Sequence, residues 1–303
     1  MQNAGHMQKK GTKSMFKNIA ELVCQAEDSD KKIYEIMIDQ EVEESGKSRE
    51  EILKAMDRNF QVMKDAVQKG IKGVTSKSGM TGMDAKKLYE YRDSGKTLLD
   101  KTFLSAICYA VATNEVNASM GVICATPTAG SSGVLPGVMI ALQEKMDLPD
   151  EEVVNYLFTG GAIGYVIANN ASIAGSAGGC QAEVGSASAM AAAAAVEMAG
   201  GTPRQAAHAM AIALKNMLGL TCDPVAGLVE VPCIKRNAAG ASNALTAAEM
   251  ALAGVESRIP WDEVINAMYR IGLSLPSALR ETAMGGLATT ETGVEWKKKI
   301  LNQ

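Results

Sequence analysis

Three of the six cysteines lie where the chain breaks between predicted helices. Cys180 follows a Gly-Gly pair, Cys222 precedes an Asp-Pro pair and Cys233 follows a proline. Helix ends next to such breaks offer free backbone N–H groups and partial positive charge, and both stabilise a thiolate. Because thiolates are metal ligands, these three cysteines are candidates for a shared metal site.

The spacing of these cysteines leaves the type of site open. Cys222 lies 42 positions after Cys180 (222 − 180) and 11 before Cys233 (233 − 222), which matches neither a ferredoxin nor a paired C-x-x-C zinc site. The chain has only two histidines, so sites that need two or more are nearly excluded. Three thiolates could hold a 4Fe-4S cluster with one open iron, a Lewis acid, or they could be three inert thiols.

The other cysteines suit packing better than chemistry. Cys24 and Cys108 lie inside apolar helical runs and are predicted to be buried as small hydrophobic side chains. Cys124 is ambiguous, although packing is again favoured. Six cysteines without a secretory signal predict reduced thiols and a cytoplasmic protein.

Two polar segments could bind a substrate. Ser131, Ser132 and Gly133 belong to a small-residue loop, T-P-T-A-G-S-S-G, whose N–H and hydroxyl groups could hold a carboxylate or could simply form a turn. Asn169 and Asn170 interrupt an apolar run, and buried amides need partners. The pair is therefore predicted to cap a helix break or to line a pocket.

Two lysines are candidates for a general base. Lys215 lies in the last turn of a helix before the Cys222 loop, where it could complement the helix C-terminus or act as a base whose pKa is lowered by burial. Lys77 lies on a Gly/Ser/Thr-rich loop and is the second candidate. His208 precedes Lys215 on the same helix face, and a core histidine is the commoner role for it.

Composition indicates the scaffold that must position these groups. The 303 residues carry a net charge of −4 with 21% charged residues, which argues against nucleic-acid binding and against a polybasic membrane surface. Aromatic residues are only 4%, whereas glycine and methionine are frequent. We predict an all-α fold, with residues 1–14 as a tag or disordered leader and residues 15–303 as one large helical domain around a central apolar helix.

Caps and stop residues set the predicted helix boundaries. Six predicted helices run from Ser29 to Glu44, from Ser48 to Gly70, from about Thr97 to Ser119, from Thr202 to about Leu218, from about Ala241 to Leu252 and from Pro260 to Ile271. A further helix is predicted to begin at Asp84. Residues 153–182 carry no charge, which is long enough to span a bilayer. Because this stretch contains asparagines and glycines and has no flanking Lys or Arg, a buried helix of a soluble bundle is preferred.

Five segments carry a family resemblance. Two of these segments closely resemble the α chain of iron–sulfur-dependent L-serine dehydratases. They are residues 170–193 (N-A-S-I-A-G-S-A-G-G-C-Q-A-E-V-G and the alanine run) and residues 218–238 (L-G-L-T-C-D-P-V-A-G-L-V-E-V-P-C-I-K-R-N-A). Residues 127–137, 279–288 and 15–22 fit the same family. Together they cover nearly all of the chain from Met15 to about Gly293.

The resemblance implies deamination of L-serine to pyruvate and ammonia without pyridoxal phosphate, within amino-acid degradation and gluconeogenesis. It places the three ligands of a 4Fe-4S cluster on Cys180, Cys222 and Cys233. Because the chain begins directly with the helical region, it resembles the two-chain type, which implies a separate regulatory β subunit and a homo- or hetero-oligomer.

Two alternatives are kept. The first is a pyridoxal-phosphate lyase with Lys77 as the Schiff base, which would require an α/β fold. The second is a non-catalytic helical scaffold with a structural three-cysteine metal site.

Overall fold

The computed structural model describes residues 15–302, which form thirteen α-helices and no β-strand. They are α1 (Ile19–Asp28), α2 (Ile33–Ser45), α3 (Arg49–Ile71), α4 (Asp84–Arg92), α5 (Lys101–Ala118), α6 (Val134–Met146), α7 (Asp150–Asn170), α8 (Gly175–Gly178), α9 (Ser186–Met198), α10 (Pro203–Asn216), α11 (Cys233–Leu252), α12 (Trp261–Ser274) and α13 (Glu291–Leu301). The predicted all-α fold is confirmed, and the α/β fold required by the pyridoxal-phosphate alternative is not found in this range. The predicted leader, residues 1–14, lies outside the described residues.

The alanine-rich helix α9 forms the centre of the molecule. Every residue of α9 is buried, and the helix packs against α6, α7, α10 and α11. Alanine has the highest helix propensity, and its short side chain lets neighbouring helices approach closely. A one-turn π-helix, Gln181–Gly185, leads directly into α9. The N-terminal end of the central helix is therefore joined to the segment that carries Cys180.

A second shell of helices covers this centre. Helix α5 packs on α6, α11 and α3, and α4 packs on α5. Helix α2 lies on α7, while α12 lies on α10. The last helix, α13, contacts the short turns that follow Cys222 rather than the central helices. The C-terminal part of the chain is thus folded against the cysteine loops.

Three carboxylates join helices by capping the N-termini of other helices. Glu197 of α9 accepts hydrogen bonds from Ile33 N at 2.6 Å and from the Thr159 hydroxyl, and so closes the first turn of α2. Glu115 caps α4 and Asp262 caps α1 in the same way. Because the first N–H groups of a helix lack partners within the helix, each carboxylate satisfies donors that would otherwise be unpaired.

Three predicted helix starts were wrong. Helix α5 begins at Lys101, with Asp100 as its N-cap, rather than at about Thr97. Ser29 is the C-cap of α1, and α2 begins at Ile33 with Lys32 as its N-cap. Helix α11 begins at Cys233, eight positions before the predicted start at Ala241 (241 − 233). Local sequence at residues 233–240 contains charges and a glycine, which weaken a helix signal, but packing against α5, α9 and α10 supports the helix there.

The charge-free stretch 153–182 is divided in the structure. It supplies most of α7, the single turn α8 and the beginning of the π-helix. The predicted central apolar helix is therefore found as α9 instead. Among the described residues, no helix is both long enough and apolar enough to cross a bilayer.

We expect Glu197→Ala to lower the free energy of unfolding by about 3 kcal/mol, because it leaves buried N–H groups of α2 without an acceptor. Glu43→Ala is the matched control, since Glu43 is an exposed carboxylate on α2 itself and its loss should change stability by less than about 0.5 kcal/mol. Urea denaturation measures both. Equal stability of the two variants would show that the inter-helix cap does not stabilise the fold.

Candidate metal and substrate site

A buried glutamine brings two of the cysteine segments together. The backbone N–H of Gln181 donates to Leu220 O at 3.0 Å, and its side-chain Oε1 accepts from Gly219 N at 3.0 Å. Its Nε2 donates to Gly178 O and to Met268 O of α12. The turn that carries Cys180 is therefore fixed against the loop that leads to Cys222.

The Cys180 turn also requires glycine at residue 179. Gly179 has a φ of +77°, and a Cβ there would lie 2.9 Å from Leu220 O. Only glycine adopts this backbone without strain while leaving room for the neighbouring loop.

Cys233 is held by two polar side chains that flank it in sequence. Asn237 Nδ2 donates to Cys233 O at 2.9 Å and to Gly130 O at 2.7 Å, which ties the start of α11 to the T-P-T-A-G-S-S-G loop. Glu230 is buried and accepts hydrogen bonds from the hydroxyls of Ser78 and Thr81 at 2.9 and 2.7 Å. The loop that contains Lys77 is thereby attached to the segment before Cys233.

All three thiols are buried and influence one another's ionisation. Cys222 donates a hydrogen bond to the Cys180 sulfur, which lowers the pKa of Cys180 and raises that of Cys222. Burial raises the pKa of Cys233 to about 12, and negative charge on Cys180 adds to the rise. The structure therefore brings the three predicted cysteines to one site, in which Cys180 is the favoured thiolate.

Arg236 is the buried cation of this site. Its Nη1 donates to Thr221 O at 2.7 Å, its Nη2 lies 2.9 Å from Asp223 Oδ1, and it also donates to the Cys180 sulfur. This contact helps to lower the pKa of Cys180. A positive side chain, rather than the helix end alone, thus supports the thiolate.

Glu183 places a carboxylate beside the thiols. Its Oε2 lies 3.9 Å from Cys222 Sγ, and its Oε1 accepts a hydrogen bond from the Thr128 hydroxyl at 2.7 Å. Burial raises the pKa of Glu183, and the nearby Glu281 carboxylate raises it further. Gly175 has no side chain where a Cβ would lie 2.5 Å from Glu183 Oε2, so this space is kept for the carboxylate.

Within residues 15–302, no group of three or more His, Cys, Asp or Glu side chains is arranged to hold a single metal ion. Cysteine thiols are donors of the kind that hold iron–sulfur clusters. The three thiols lie near enough to influence one another's ionisation.

The model of the family described as "Serine dehydratase alpha chain" matches residues 28–288. The chain is also 63% identical over 286 residues, 94% of its length and 95% of the relative's, to "Probable L-serine dehydratase, alpha chain" of Bacillus subtilis. The chain belongs to the serine dehydratase alpha chain family. It is similarly 47% identical over 274 residues, 90% of the chain and 94% of the relative, to "L-serine dehydratase, alpha chain" of Peptoniphilus asaccharolyticus.

Some longer relatives match only part of this chain. "L-serine dehydratase" of Mycobacterium tuberculosis is 47% identical over 184 residues, which cover 59% of this chain and 40% of the relative. The matches to the two alpha chains cover more of both proteins than this match does.

The predicted substrate-binding residues of this alpha chain already have protein partners. Ser131 and Ser132 are fully buried, and their hydroxyls bond within the loop, while Gly133 N donates to Asn237 Oδ1. Asn169 and Asn170 are exposed at the end of α7, where their side chains donate to backbone carbonyls. In this structure the loop contacts the thiol site through Thr128, and the asparagines cap a helix end.

The two predicted lysines lie in different surroundings. Lys215 is partly buried, and its Nζ donates to Ser257 Oγ at 2.9 Å, in the turn that also packs on His208. Lys77 is exposed, on the loop that binds Glu230 through its neighbour Ser78. Lys77 is therefore the lysine whose loop is attached to the Cys233 segment.

The prediction that Cys24 is buried was wrong. Cys24 is exposed on α1 and its thiol donates to Asp28 Oδ2 at 3.3 Å, because it lies on the polar face of an amphipathic helix. Cys108 is buried as predicted, and Cys124 is partly buried.

Three charged side chains of the site were not identified from the sequence. These are Glu183, Arg236 and Arg280. Glu183 had a signal, because it is one of few charges in a long apolar stretch, but nothing in its spacing indicated that it would face Cys222.

We expect Gly175→Ala to destabilise the protein by about 1–3 kcal/mol, because the added methyl group overlaps Glu183 Oε2 and approaches Cys222 Sγ to 3.1 Å. Gly161→Ala is the control, since a Cβ there meets no atom within 4 Å and alanine favours the helix. Denaturant unfolding of both variants tests this packing. If Gly175→Ala were as stable as Gly161→Ala, the close approach of residue 175 to the site would be wrong.

Proposed function

We propose that this chain is the catalytic α chain of an L-serine dehydratase, which converts L-serine to pyruvate and ammonia. The observation that carries the proposal is the convergence of Cys180, Cys222 and Cys233 with the carboxylate of Glu183. The relatives named L-serine dehydratase support the same substrate. Loss of water from serine gives aminoacrylate, which tautomerises and takes up water to release ammonia, so the overall atoms balance.

The proposed cofactor is a 4Fe-4S cluster held by the three cysteines. Their thiolates are the ligands that such clusters use, and three of them leave one iron without a protein ligand. When bound, a cluster of this kind supplies a Lewis acid toward the substrate hydroxyl. Because thiols must lose their protons to bind iron, Arg236 supports the site by offsetting the resulting negative charge.

Glu183 is proposed to bind the ammonium group of the substrate. Its Oε1 is held by the Thr128 hydroxyl, and its Oε2 lies 3.9 Å from Cys222 Sγ. Among the described residues no nitrogen or hydroxyl donates to Oε2, which can therefore accept a hydrogen bond from the ammonium. In this proposal the loop that contains Ser131, Ser132 and Gly133 positions Thr128 and Asn237. The pair Asn169 and Asn170 ends α7 ahead of the Cys180 turn.

The base that removes the α-proton is proposed to be a lysine, although the sequence favoured Lys215 and placed Lys77 second. Of the two candidates, Lys77 is favoured over Lys215. The hydrogen bond from Lys215 to Ser257 supports a role in joining α10 to the turn before α12. The Lys77 loop is attached to Glu230, three positions before Cys233, and this supports Lys77 as the base.

The proposed assembly contains a separate regulatory β chain, since two relatives that match over nearly their whole length are named alpha chains. We further propose a cytoplasmic location. All six cysteines are free thiols within the described residues, which suits a reducing compartment, and the proposed reaction belongs to amino-acid degradation.

Replacing Cys180, Cys222 or Cys233 with alanine should abolish cluster assembly, because each removes one of three ligands. Iron and inorganic sulfide are measured after anaerobic reconstitution, together with pyruvate formed from L-serine. Cys24→Ala and Cys108→Ala are matched controls that should retain iron and sulfide. Full iron content in any of the first three variants would contradict the ligand assignment.

Lys77→Met should retain the cluster and the fold but lose turnover by about 100-fold or more, because general base catalysis typically contributes that much. Lys215→Met should keep most of its turnover and lose a little stability through its hydrogen bond to Ser257. Steady-state assays with added β chain and thermal melts compare the two. Normal turnover in Lys77→Met together with loss in Lys215→Met would reverse the assignment.

A further inference from the structure

The segment Leu279–Glu281 runs beside Cys222 as a short parallel pairing. Cys222 N donates to Leu279 O at 2.8 Å, and Glu281 N donates to Cys222 O at 2.7 Å, so Cys222 and Arg280 are directly paired. Paired residues of neighbouring extended segments project their side chains to the same face. The Arg280 side chain therefore leaves the backbone on the same side as that of Cys222.

Within residues 15–302, Arg280 has no anionic partner. Its Nε is buried and donates to no acceptor, and its guanidinium forms no ion pair in that range. Arg236, the other arginine of the site, is fully engaged by Asp223, Thr221 O and the Cys180 sulfur. A partly buried arginine without an acceptor is unusual, because its N–H groups lose water without gaining a partner. The missing partner is therefore expected to be a ligand.

Two carboxylates lie near the paired residues. Glu281 follows Arg280 directly in sequence, and Glu183 Oε2 lies 3.9 Å from Cys222 Sγ. These carboxylates favour a ligand that carries a positive charge as well as an anionic group. An α-amino acid carries a carboxylate for Arg280 and an ammonium for Glu183 on one carbon atom. A guanidinium is also the side chain that binds a carboxylate through two parallel hydrogen bonds.

The backbone around Arg280 is held in an unusual conformation. Glu281 and Ala283 have φ values of +62° and +53°, in the left-handed region that residues other than glycine rarely adopt. Such strain persists only where surrounding contacts enforce it, and here the pairing with Cys222 and a hydrogen bond from Thr282 Oγ1 to Ser277 O do so. The segment is thus fixed with Arg280 paired to Cys222.

We propose that Arg280 binds the carboxylate of the amino-acid substrate and so determines that the site accepts α-amino acids. This inference rests on the proposed function for the identity of the reaction, but carboxylate binding can be measured without turnover. L-alanine is a suitable probe, because it has the carboxylate and ammonium of serine and no hydroxyl to eliminate. L-alaninamide is the matched probe that lacks the carboxylate.

The test is isothermal titration of the anaerobically reconstituted protein with each probe. The wild type should bind L-alanine more tightly than L-alaninamide. Arg280→Gln should weaken L-alanine binding on the order of 100-fold and abolish the preference, with iron and sulfide unchanged. Arg280→Lys should be intermediate, because it keeps the charge and loses the two-pronged geometry. Arg58→Gln, on the exposed face of α3, should bind both probes as the wild type does.

Three results would overturn the inference: unchanged L-alanine binding in Arg280→Gln, absence of L-alanine binding in the wild type, or loss of cluster iron in both Arg280 variants. The last would show that Arg280 supports the cluster instead. In parallel, KM for L-serine should rise in Arg280→Gln far more than kcat falls. If the wild type forms no pyruvate, the proposed function fails, while the titrations still decide whether Arg280 binds carboxylates.

Discussion

The site depends on the hydrogen bonds by which Gln181 holds the Cys180 turn against the Cys222 loop. Both segments are irregular backbone between helices, and each would have unpaired N–H and C=O groups if the other were absent. Gln181 satisfies groups on both of them and on α12, from a position with no exposure to solvent. The cysteines are far apart in sequence. The hydrogen bonds of Gln181, together with those of Asn237 at the start of α11, therefore determine whether the three sulfurs can bind one cluster.

Charge balance is the second constraint on the site. Three buried thiols and a buried carboxylate occupy one region, where ionisation of one group opposes ionisation of the others. Arg236 provides the compensating charge, and it is itself held by Asp223, which also accepts from Leu287 N in the C-terminal part of the chain. The C-terminal segments therefore contribute to the site twice, through Asp223 and through the pairing of Arg280 with Cys222.

Sequence reasoning predicted the helical fold and singled out three cysteines that lie near one another in the structure, because both have local signals. Capping residues, glycines and alanine-rich stretches mark helices, and Cys180, Cys222 and Cys233 each stand at a break. The partners of those cysteines have no such signal. Arg236 and Arg280 look like ordinary surface arginines until tertiary contacts place one on Cys180 and the other beside Cys222. The prediction that Cys24 is buried failed for the same reason, since an apolar run does not show which face of a helix points outward.

The central claim is that three cysteines hold a cluster in which one iron lacks a protein ligand. Mössbauer spectroscopy of the anaerobically reconstituted protein tests it most directly, because it resolves irons in different coordination. The account predicts two iron populations in a ratio of about three to one, with the minor population altered by L-serine. Four equivalent irons, or a spectrum that L-serine leaves unchanged, would contradict it.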